Sequence, residues 1–294
     1  GMNLSKSLTI KGTNKQTVTF NKQGIALNQY ALTFENCVVE MNGVGSTATN
    51  NWMSIVASAN GSLTLNNVKM TMDGTGTIDG GKGSANTHGI YFCGNNMLNL
   101  NDSELTIKNY SQDALEWDGA TGEYNFLCNH STFTATENRS GLAGTFTAKI
   151  INGSEFYVNK NKGNGSNGSH FIIIDSTVNF NDNVDHGLSA NKLYITNSTV
   201  NALRNGRNGI VGRDITIDAA SHVLVEGNTT NSANVGAFRV MGSTGKCTVA
   251  EGADLQIINN YMSGIQVDNV AGIMVMNAGI VTGNGISDDN GYGG

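Results

Sequence analysis

The sequence predicts an all-β solenoid, a right-handed parallel β-helix of about nine or ten rungs. Three observations predict it: the composition, a recurring strand motif, and columns of residues that repeat with the same period. The chain of 294 residues contains 38 glycines, 42 asparagines and no proline. Glycine and asparagine tolerate the left-handed backbone of tight turns, whereas proline would remove a backbone donor from an interior strand. The composition is therefore typical of a fold that turns many corners.

The recurring motif alternates apolar and polar residues, passes a turn residue and a small residue, and returns to an apolar one. Alternation of this kind is typical of strands with one buried face. The motif recurs in ten places: LTFENCVV from Leu32, LTLNNVKM from Leu63, LNLNDSEL from Leu98, FLCNHSTF from Phe126, KIINGSEF from Lys149, FIIIDSTV from Phe171, LYITNSTV from Leu193, ITIDAASHV from Ile215, CTVAEGADL from Cys247 and IMVMNAGI from Ile273.

Three columns of residues keep the same register along the chain. The serine column repeats at intervals of 22 to 28 residues and consists of Ser103, Ser131, Ser154, Ser176, Ser198 and Ser221. An asparagine column follows six or seven residues later: Asn109, Asn138, Asn161, Asn183, Asn205 and Asn228. The third is a Gly or Ala before an aliphatic residue, as in Gly89-Ile90 and Gly187-Leu188. Members of one column should be vertical neighbours about 4.8 Å apart in successive rungs.

We expect residues 1–286 to form a single β-helix domain. Residues 3–30 would form the N-terminal cap and first rung, and residues 287–294 a linker-like tail. Segments longer than the repeat requires predict loops at residues 41–60, 73–87 and 161–169, and binding often lies on such loops.

Charge and cysteine content exclude several classes of protein. A net charge of −6 and a pI near 5.3 argue against a nucleic-acid binder. No apolar run is long enough to predict a transmembrane segment. The cysteines Cys37, Cys93, Cys128 and Cys247 form no CxxC pair, so they predict buried apolar side chains, with a disulfide as the alternative. No metal site or other cofactor is predicted, because the histidines have no clustered ligand partners in the sequence.

The first candidate site is the acidic segment SQDALEWDG, which contains Asp113, Glu116 and Asp118 beside Trp117. Two carboxylates near an aromatic surface would suit a glycosidase or a Ca²⁺-assisted lyase. The alternation predicts that Trp117 points inward and Glu116 outward. A solvated turn beside a buried tryptophan is the alternative interpretation.

The second candidate site is formed by Asp182, Asp185 and His186, near Arg204 and Arg207. Stacking in register would place Asp185 one rung from Arg207, about 5 Å away. This arrangement could supply an acid, a base and a clamp for a substrate carboxylate, or only a cross-rung ion pair.

A polar stripe precedes the Gly-aliphatic column and could line a groove that binds a polysaccharide. The stripe comprises His88, Asp113, Ser140, His186 and Asn208. Substrate-binding roles are expected for His88, Trp117, Arg139, Arg204 and Arg207. Polar turn residues that face water would give the same pattern.

The LxLxNSxV and NxxGI elements resemble the repeats of the pectate-lyase-like superfamily over nearly the whole chain. The resemblance implies a parallel β-helix with an internal asparagine ladder at one turn. The residues that match such a ladder are Asn36, Asn67, Asp102, Asp175, Asn197 and Asn277, with His130 and Gly153 as departures. The superfamily contains lyases, hydrolases, esterases and non-enzymatic surface proteins, so the resemblance does not assign an activity.

Two activities of that superfamily are disfavoured. Polygalacturonase-like members carry NTD, DD, GHG and RIK elements, of which only Asp288-Asp289 occurs, in the tail. Pectate lyases carry a basic catalytic residue flanked by proline, which this chain lacks. The sequence therefore favours a secreted or cell-surface module, adhesin-like and of bacterial type, that binds a glycan or host surface without catalysis. Its secretion signal would be absent from the chain as given. The alternative is a divergent polysaccharide lyase or glycoside hydrolase acting on an acidic polysaccharide, and Ca²⁺ is a candidate cofactor for the lyase only.

Overall fold

The computed structural model describes residues 1–46, 53–58, 60–75, 87–229, 235–268 and 271–285. The described residues contain strands and turns but no helix, and the strand pairs are parallel. The chain is a right-handed parallel β-helix, as the sequence predicted. It divides into two compact units, Gly1–Glu155 and Phe156–Gly294.

The first unit contains three parallel sheets, to which successive strands belong in turn. In chain order its strands are β1 (Met2–Asn3), β2 (Leu8–Lys11), β3 (Thr17–Gln23), β4 (Ile25–Ala26), β5 (Ala31–Glu35), β6 (Val38–Ser46), β7 (Met53–Ala57), β8 (Ser62–Asn66), β9 (Lys69–Asp73), β10 (His88–Cys93), β11 (Met97–Asn101), β12 (Glu104–Lys108), β13 (Asp113–Asp118), β14 (Phe126–Asn129), β15 (Thr132–Thr136), β16 (Ser140–Gly144) and β17 (Thr147–Ile151). The first sheet has the order β1-β4-β7-β10-β13-β16 and carries the site described below.

The second unit continues this coiling and contains two long strands, Leu188–Thr196 and Ile210–Ile217. Its strands are β18 (Glu155–Asn159), β19 (Ser166–Asn167), β20 (Ser169–Ile174), β21 (Thr177–Asn179), β22 (Leu188–Thr196), β23 (Thr199–Leu203), β24 (Ile210–Ile217), β25 (His222–Glu226), β26 (Phe238–Val240), β27 (Lys246–Val249), β28 (Asp254–Ile258), β29 (Ile265–Val267), β30 (Ile273–Met276) and β31 (Ile280–Thr282). β24 pairs with both β26 and β27, because this strand continues across two faces of the coil.

The core of each coil consists of the alternate residues of its strands. In the second sheet of the first unit, Leu63 and Leu98 are in register and Leu98 faces Phe126 in the next coil. All three side chains are fully buried. Register of this kind lets each coil cover the apolar face of its neighbour, which a single coil cannot do alone.

The serine column confirms that equivalent residues of successive repeats are vertical neighbours. In the first unit, the Ser103 amide donates to Ser131 Oγ at 3.0 Å, and the Ser131 amide to Ser154 Oγ at 3.1 Å. In the second unit, the Ser176 amide donates to Ser198 Oγ at 3.1 Å. Each hydroxyl therefore supplies an acceptor to a buried amide of the adjacent coil.

The buried asparagine ladder is in a different column from the one that the resemblance implied. In the second unit, the side-chain Nδ2 of each buried asparagine donates to the Oδ1 of the asparagine in the next coil. This asparagine ladder consists of Asn161, Asn183, Asn205, Asn228 and Asn260. These side chains have essentially no exposed surface. The assignment of the internal ladder to Asn36, Asn67, Asp102, Asp175, Asn197 and Asn277 was wrong, because all six are half-buried or exposed. The first five have positive φ angles near 50° at an outer turn.

The expected termini and cysteines can be compared with the described residues. β1, β2 and β3 pair with β4, β5 and β6, so the segment predicted as the cap and first rung contains a paired coil. The four cysteines are free, and three of them are buried, whereas Cys93 is half-buried. No helix among the described residues could cross a membrane. The tail at 287–294 and most of the loop at 73–87 lie outside the described residues, and the single domain over residues 1–286 stays a prediction.

Candidate functional site

The outward residues of β10 and β13 are spaced unevenly along each strand. Each strand has two consecutive buried residues after its first position, so β10 exposes its first, fourth and sixth residues, and β13 does the same. The second residue of β10 is Gly89, which packs closely against β13: a Cβ atom there would lie 2.5 Å from the Ala114 carbonyl oxygen. The pattern aligns two short rows of polar residues: His88, Tyr91 and Cys93 on β10, and Asp113, Glu116 and Asp118 on β13.

His88, Asp113 and Glu116 form the histidine–carboxylate cluster of the first unit. His88 Nδ1 lies 2.9 Å from Glu116 Oε2 and 3.6 Å from Asp113 Oδ2. The three potential ligand atoms lie within 4.8 Å of one another. Only 13% of the His88 side chain, 14% of Asp113 and 23% of Glu116 are exposed. Three titratable groups are thus held together at a partly desolvated surface.

Desolvation controls the electrostatics of this cluster. Burial raises the pKa of the Asp113 carboxyl above its ordinary value, although His88 opposes the effect, and Glu116 raises it further. Ser140, the residue in register on β16, lowers the same pKa through a hydrogen bond, and so does the charge of Arg139. The Arg139 guanidinium also donates to Gln112 Oε1. Arg139 thus lies close enough to Asp113 to lower its pKa, and its substrate-binding role stays a prediction.

Asp118 lies outside the histidine–carboxylate cluster because it is bonded to Tyr91, whose hydroxyl donates to Asp118 Oδ2. Burial and this carboxylate raise the pKa of Tyr91 above its ordinary value. The Tyr91 ring also contacts the His88 ring edge-on, with centroids 5.7 Å apart. Tyr91 and Asp118 thus extend the polar surface along the two strands.

Trp117 cannot supply a surface on which a sugar stacks. Its side chain is fully buried, and its ring packs against Phe92, Phe126 and Phe146 at centroid distances of 4.9 to 6.4 Å. The prediction that Trp117 points inward and Glu116 outward is confirmed. The substrate-binding role expected of Trp117 is therefore wrong, because an inward position removes the ring from any ligand.

The second predicted group is divided into separate ion pairs in the second unit. Arg204 binds both carboxylate oxygens of Asp182, at 2.7 and 2.8 Å. Arg207 Nε lies 3.1 Å from Asp185 Oδ1, which confirms the predicted neighbours on adjacent rungs. Each acid is thus already paired with its own arginine, an arrangement that a structural role explains.

His186 is half-buried beside Asp185, with His186 Nε2 3.8 Å from Asp185 Oδ1. Burial lowers the pKa of His186; Asp185 raises it, whereas Arg207 and Arg239 lower it. Arg239 itself holds both oxygens of Asp268, at 2.7 and 2.9 Å. The lowered pKa favours the neutral form of the His186 imidazole, which adds no charge to the neighbouring Asp185–Arg207 and Asp268–Arg239 ion pairs.

The sequence placed His88 and Asp113 in one polar stripe but did not join His88 to Glu116. In the register, Ile90 is opposite Leu115 and His88 is therefore opposite Asp113. Tyr91 was missed because a tyrosine in an alternating strand gives no functional signal by itself. Its position opposite Glu116 would have been the clue.

A groove of about 370 Å³ lies elsewhere on the first unit, at the outer turn. It is lined by Asp102, Ser103, Glu104, His130, Ser131, Thr132, Gly153 and Glu155. Its histidine, His130, is bonded to Asp102 at 2.6 Å, and both side chains are about 70% exposed. Exposed pairs of this kind are weak and well solvated, so the groove is a less specific site than the buried cluster.

The fold defines the class of protein, a right-handed parallel β-helix, and comparisons with known proteins add little beyond it. No family model matches the chain, and no curated protein matches it. The chain is similar to the A-module of the mannuronan C-5 epimerase AlgE6 of Azotobacter vinelandii, at 11% identity and a TM-score of 0.36, over 95% of this chain and 90% of that one. It is similar to the AlgE4 A-module of the same organism at 13% identity and a TM-score of 0.29, over 94% and 91%. At these values the activity of neither protein transfers to this chain.

Proposed function

We propose that the chain is an extracellular or cell-surface carbohydrate-binding module, in which the outward face of β10, β13 and β16 binds a glycan. The observation that carries the proposal is the row of polar side chains around the histidine–carboxylate cluster. Hydroxyl, imidazole and carboxylate groups on adjacent strands about 4.8 Å apart can bond successive sugar hydroxyls.

The neighbouring strand supports a binding surface here. β16 carries Ser140 opposite Asp113 and Ala143 opposite Glu116, so much smaller side chains follow the two acids. Glu116, beside Ala143, is the more accessible of the two acids, with 23% of its side chain exposed against 14% for Asp113. A glycan chain lying across the strands would contact Tyr91 and Ser140 as well as the acids.

The carboxylates of this face favour ligands rich in hydroxyl groups. Asp113, Glu116 and Asp118 outnumber the single nearby guanidinium of Arg139, so a polyanionic chain would be repelled at this face without a counter-ion. A neutral glycan is therefore the first choice of ligand. Hydroxyl groups donate well to carboxylates, and such charge-assisted bonds are stronger than neutral ones.

Glycoside hydrolysis at the same face is the second candidate function. One observation favours it: the nearest oxygens of Asp113 and Glu116 lie within 4.8 Å. Retaining glycosidases hold their two carboxyl groups about 5 to 5.5 Å apart, close enough for one to act as nucleophile and the other as acid. The same separation also suits two acids that only bind hydroxyl groups.

A blocking variant tests the proposed surface. Ala143→Trp fills the open side of the cluster, and Thr134→Trp is its matched control, since Thr134 faces outward on β15 in another sheet. We expect the wild type and the control to be retained on a glycan array of neutral and acidic polysaccharides, and Ala143→Trp to lose retention. Equal retention of both variants would refute binding at this face.

Turnover assays separate the two functions. The protein is incubated with the retained polysaccharides, and new reducing ends and unsaturated uronates are measured over time. Binding without product supports the module. Product formation that Glu116→Gln abolishes would replace the binding function with hydrolysis or elimination, whereas no retention on any glycan would reject both.

A further inference from the structure

We propose that His88, Asp113 and Glu116 bind a divalent transition-metal ion such as Zn²⁺ on the first unit. This inference does not depend on the glycan-binding proposal. Imidazole nitrogen together with carboxylate oxygen is a donor set that suits zinc and its neighbours, whereas calcium prefers oxygen alone. Two carboxylates also balance the two positive charges of the ion.

The positions of the donor atoms fit three ligands on one side of a metal ion. Ligands about 2.0 to 2.2 Å from a zinc ion lie about 3 to 4 Å from one another. The separations of His88 Nδ1 from Glu116 Oε2 and Asp113 Oδ2 are 2.9 and 3.6 Å. Small rotations of the two carboxylates would bring all three atoms to bonding distance, and a fourth position would face the open side at Ala143.

A second observation points to a ligand between these groups. His88 Nδ1 is a fully buried atom, and among the described residues no partner is aligned with it as a hydrogen bond. This nitrogen nevertheless lies 2.9 Å from Glu116 Oε2 and 3.6 Å from Asp113 Oδ2. Buried polar atoms without a hydrogen bond are rare in folded proteins and require an explanation, of which a bound ion is one.

Two other histidines of the same chain show what an ordinary pair looks like. His130 Nδ1 is hydrogen-bonded to Asp102 at 2.6 Å, and His222 Nδ1 to Asp254 at 3.1 Å. Both pairs are exposed, and each has one carboxylate and one aligned bond. The cluster at His88 differs in all three respects, because it is largely buried, contains two carboxylates and lacks the aligned bond.

Calorimetric titration of the tag-free, chelator-treated full chain with ZnCl₂ tests the proposal. We expect one equivalent of Zn²⁺ to bind, and His88→Ala and His88→Gln each to weaken binding on the order of 100-fold or more, since even indirect ligand partners change affinity by about 10- to 100-fold. His130→Ala is the matched control and should bind as the wild type does. Cys93→Ser excludes the half-buried thiol on the same strand as a ligand.

The outcomes are distinct for each alternative. Absence of binding by the wild type, or unchanged affinity in both His88 variants, would overturn the proposal. Loss of binding in Cys93→Ser with retention in His88→Ala would also overturn it. Far-ultraviolet circular dichroism confirms that each variant is folded. Glycan retention measured with and without chelator keeps this result apart from the glycan-binding proposal, which requires no ion.

Discussion

The turn before the first sheet is built differently in the two units. In the second unit the asparagine ladder occupies this turn. Each ladder asparagine from Asn161 to Asn228 donates from its Nδ2 to the Oδ1 of the next one. In the first unit the corresponding residues are Tyr110 and Asn138: the Tyr110 amide donates to Asn138 Oδ1, but Tyr110 has no side-chain amide to continue the ladder. Its hydroxyl bonds to Ser54 Oγ instead, at 2.8 Å.

The regular turns of the second unit stabilise the fold, whereas the irregular turn of the first unit leads into the candidate functional site. Where the asparagine ladder is regular, the following acid, Asp185, forms an ion pair with Arg207 of the adjacent rung. Where the turn departs from the ladder, Asp113 follows Tyr110 by three residues and joins a cluster of two carboxylates and one histidine that contains no arginine. Local departures from a consistent pattern are typical of functional sites. The comparison leads to four predictions of decreasing effect.

The largest effect should come from cutting the asparagine ladder with Asn205→Ala. Asn205 Oδ1 accepts from the amide and from Nδ2 of Asn183, and its own Nδ2 donates to the Phe180 carbonyl. Truncation leaves several buried polar groups unpaired, each costing about 1 to 3 kcal/mol. We expect the free energy of unfolding, measured by urea denaturation, to fall by about 3 to 5 kcal/mol.

Asn201→Ala is the matched control for the ladder. Asn201 Nδ2 also donates to an asparagine of the adjacent coil, Asn179, but at a half-buried outer position. Water can replace that bond, so we expect a loss below about 1 kcal/mol. Equal losses in both variants would mean that the buried ladder stabilises the unit no more than a surface bond does.

The ladder also shows which part of the fold the sequence could predict. Period, strand positions and serine column follow from alternation and spacing, which are local properties. The buried asparagine column was visible as a repeat from Asn138 onward, but Asn109 was placed in it although Tyr110 occupies that position. Which of two asparagine columns points inward depends on the backbone conformation of each turn, and the positive φ angles of Asn36 and Asn67 are not encoded in spacing.

A smaller effect with a defined pH dependence is expected for Asp73→Asn in the first unit. Burial alone would raise the pKa of Asp73, but hydrogen bonds from Asn109, Thr75 and Lys108 outweigh it and lower the pKa to about 2. A depressed carboxyl pKa stabilises the fold above the unfolded value near 3.9, and this stabilisation is lost as the pH falls towards 2. A quarter of the side chain is exposed, so we expect a loss of about 1 to 2 kcal/mol at pH 7.

Urea denaturation at pH 7, 4 and 3 tests the sign of this effect. The difference between wild type and Asp73→Asn should narrow as the pH falls below 4, because the unfolded wild-type chain then gains a proton on Asp73 that the folded chain does not yet bind. Glu104→Gln is the control, since Glu104 forms an exposed ion pair with Lys69 at 3.0 Å. A difference that stays constant with pH would show that the charge of Asp73 does not stabilise the first unit.

Removing one hydroxyl of the serine column should cost less than removing an asparagine. Ser131 Oγ accepts from the Ser103 amide at 3.0 Å and donates to the Asn129 carbonyl at 2.7 Å. Ser131→Ala leaves one buried amide without its acceptor, and we expect a loss of about 1 kcal/mol in urea denaturation. Thr134→Ala, at an outward position on β15, is the control. A loss as large as that of Asn205→Ala would remove the distinction between the two columns.

The candidate site was only partly predictable from the sequence, for a physical reason. Asp113 and Glu116 were found because two acids stand close together in one segment. His88 lies 25 residues before Asp113 and was placed with it in the polar stripe, but its contact with Glu116 depends on side-chain geometry. Asp182 and Asp185 looked equivalent as acids, yet each pairs with an arginine of the following coil. Sequence spacing places residues in neighbouring rungs, but whether a group is satisfied or left open depends on side-chain geometry.

The smallest effect is expected for Arg204→Ala in the second unit, although its contact with Asp182 is bidentate. Arg204 is 60% exposed and Asp182 is 34% exposed, so solvent screens the pair and we expect a loss of about 0.5 kcal/mol. A double-mutant cycle with Asp182→Ala should give a coupling energy of the same order. Glycan retention should not change in either variant, because the proposed binding face is on the first unit. A variant that kept its stability but lost retention would move the functional site to the arginine pairs, and the satisfied geometry of those pairs would then no longer be a guide to where this protein binds.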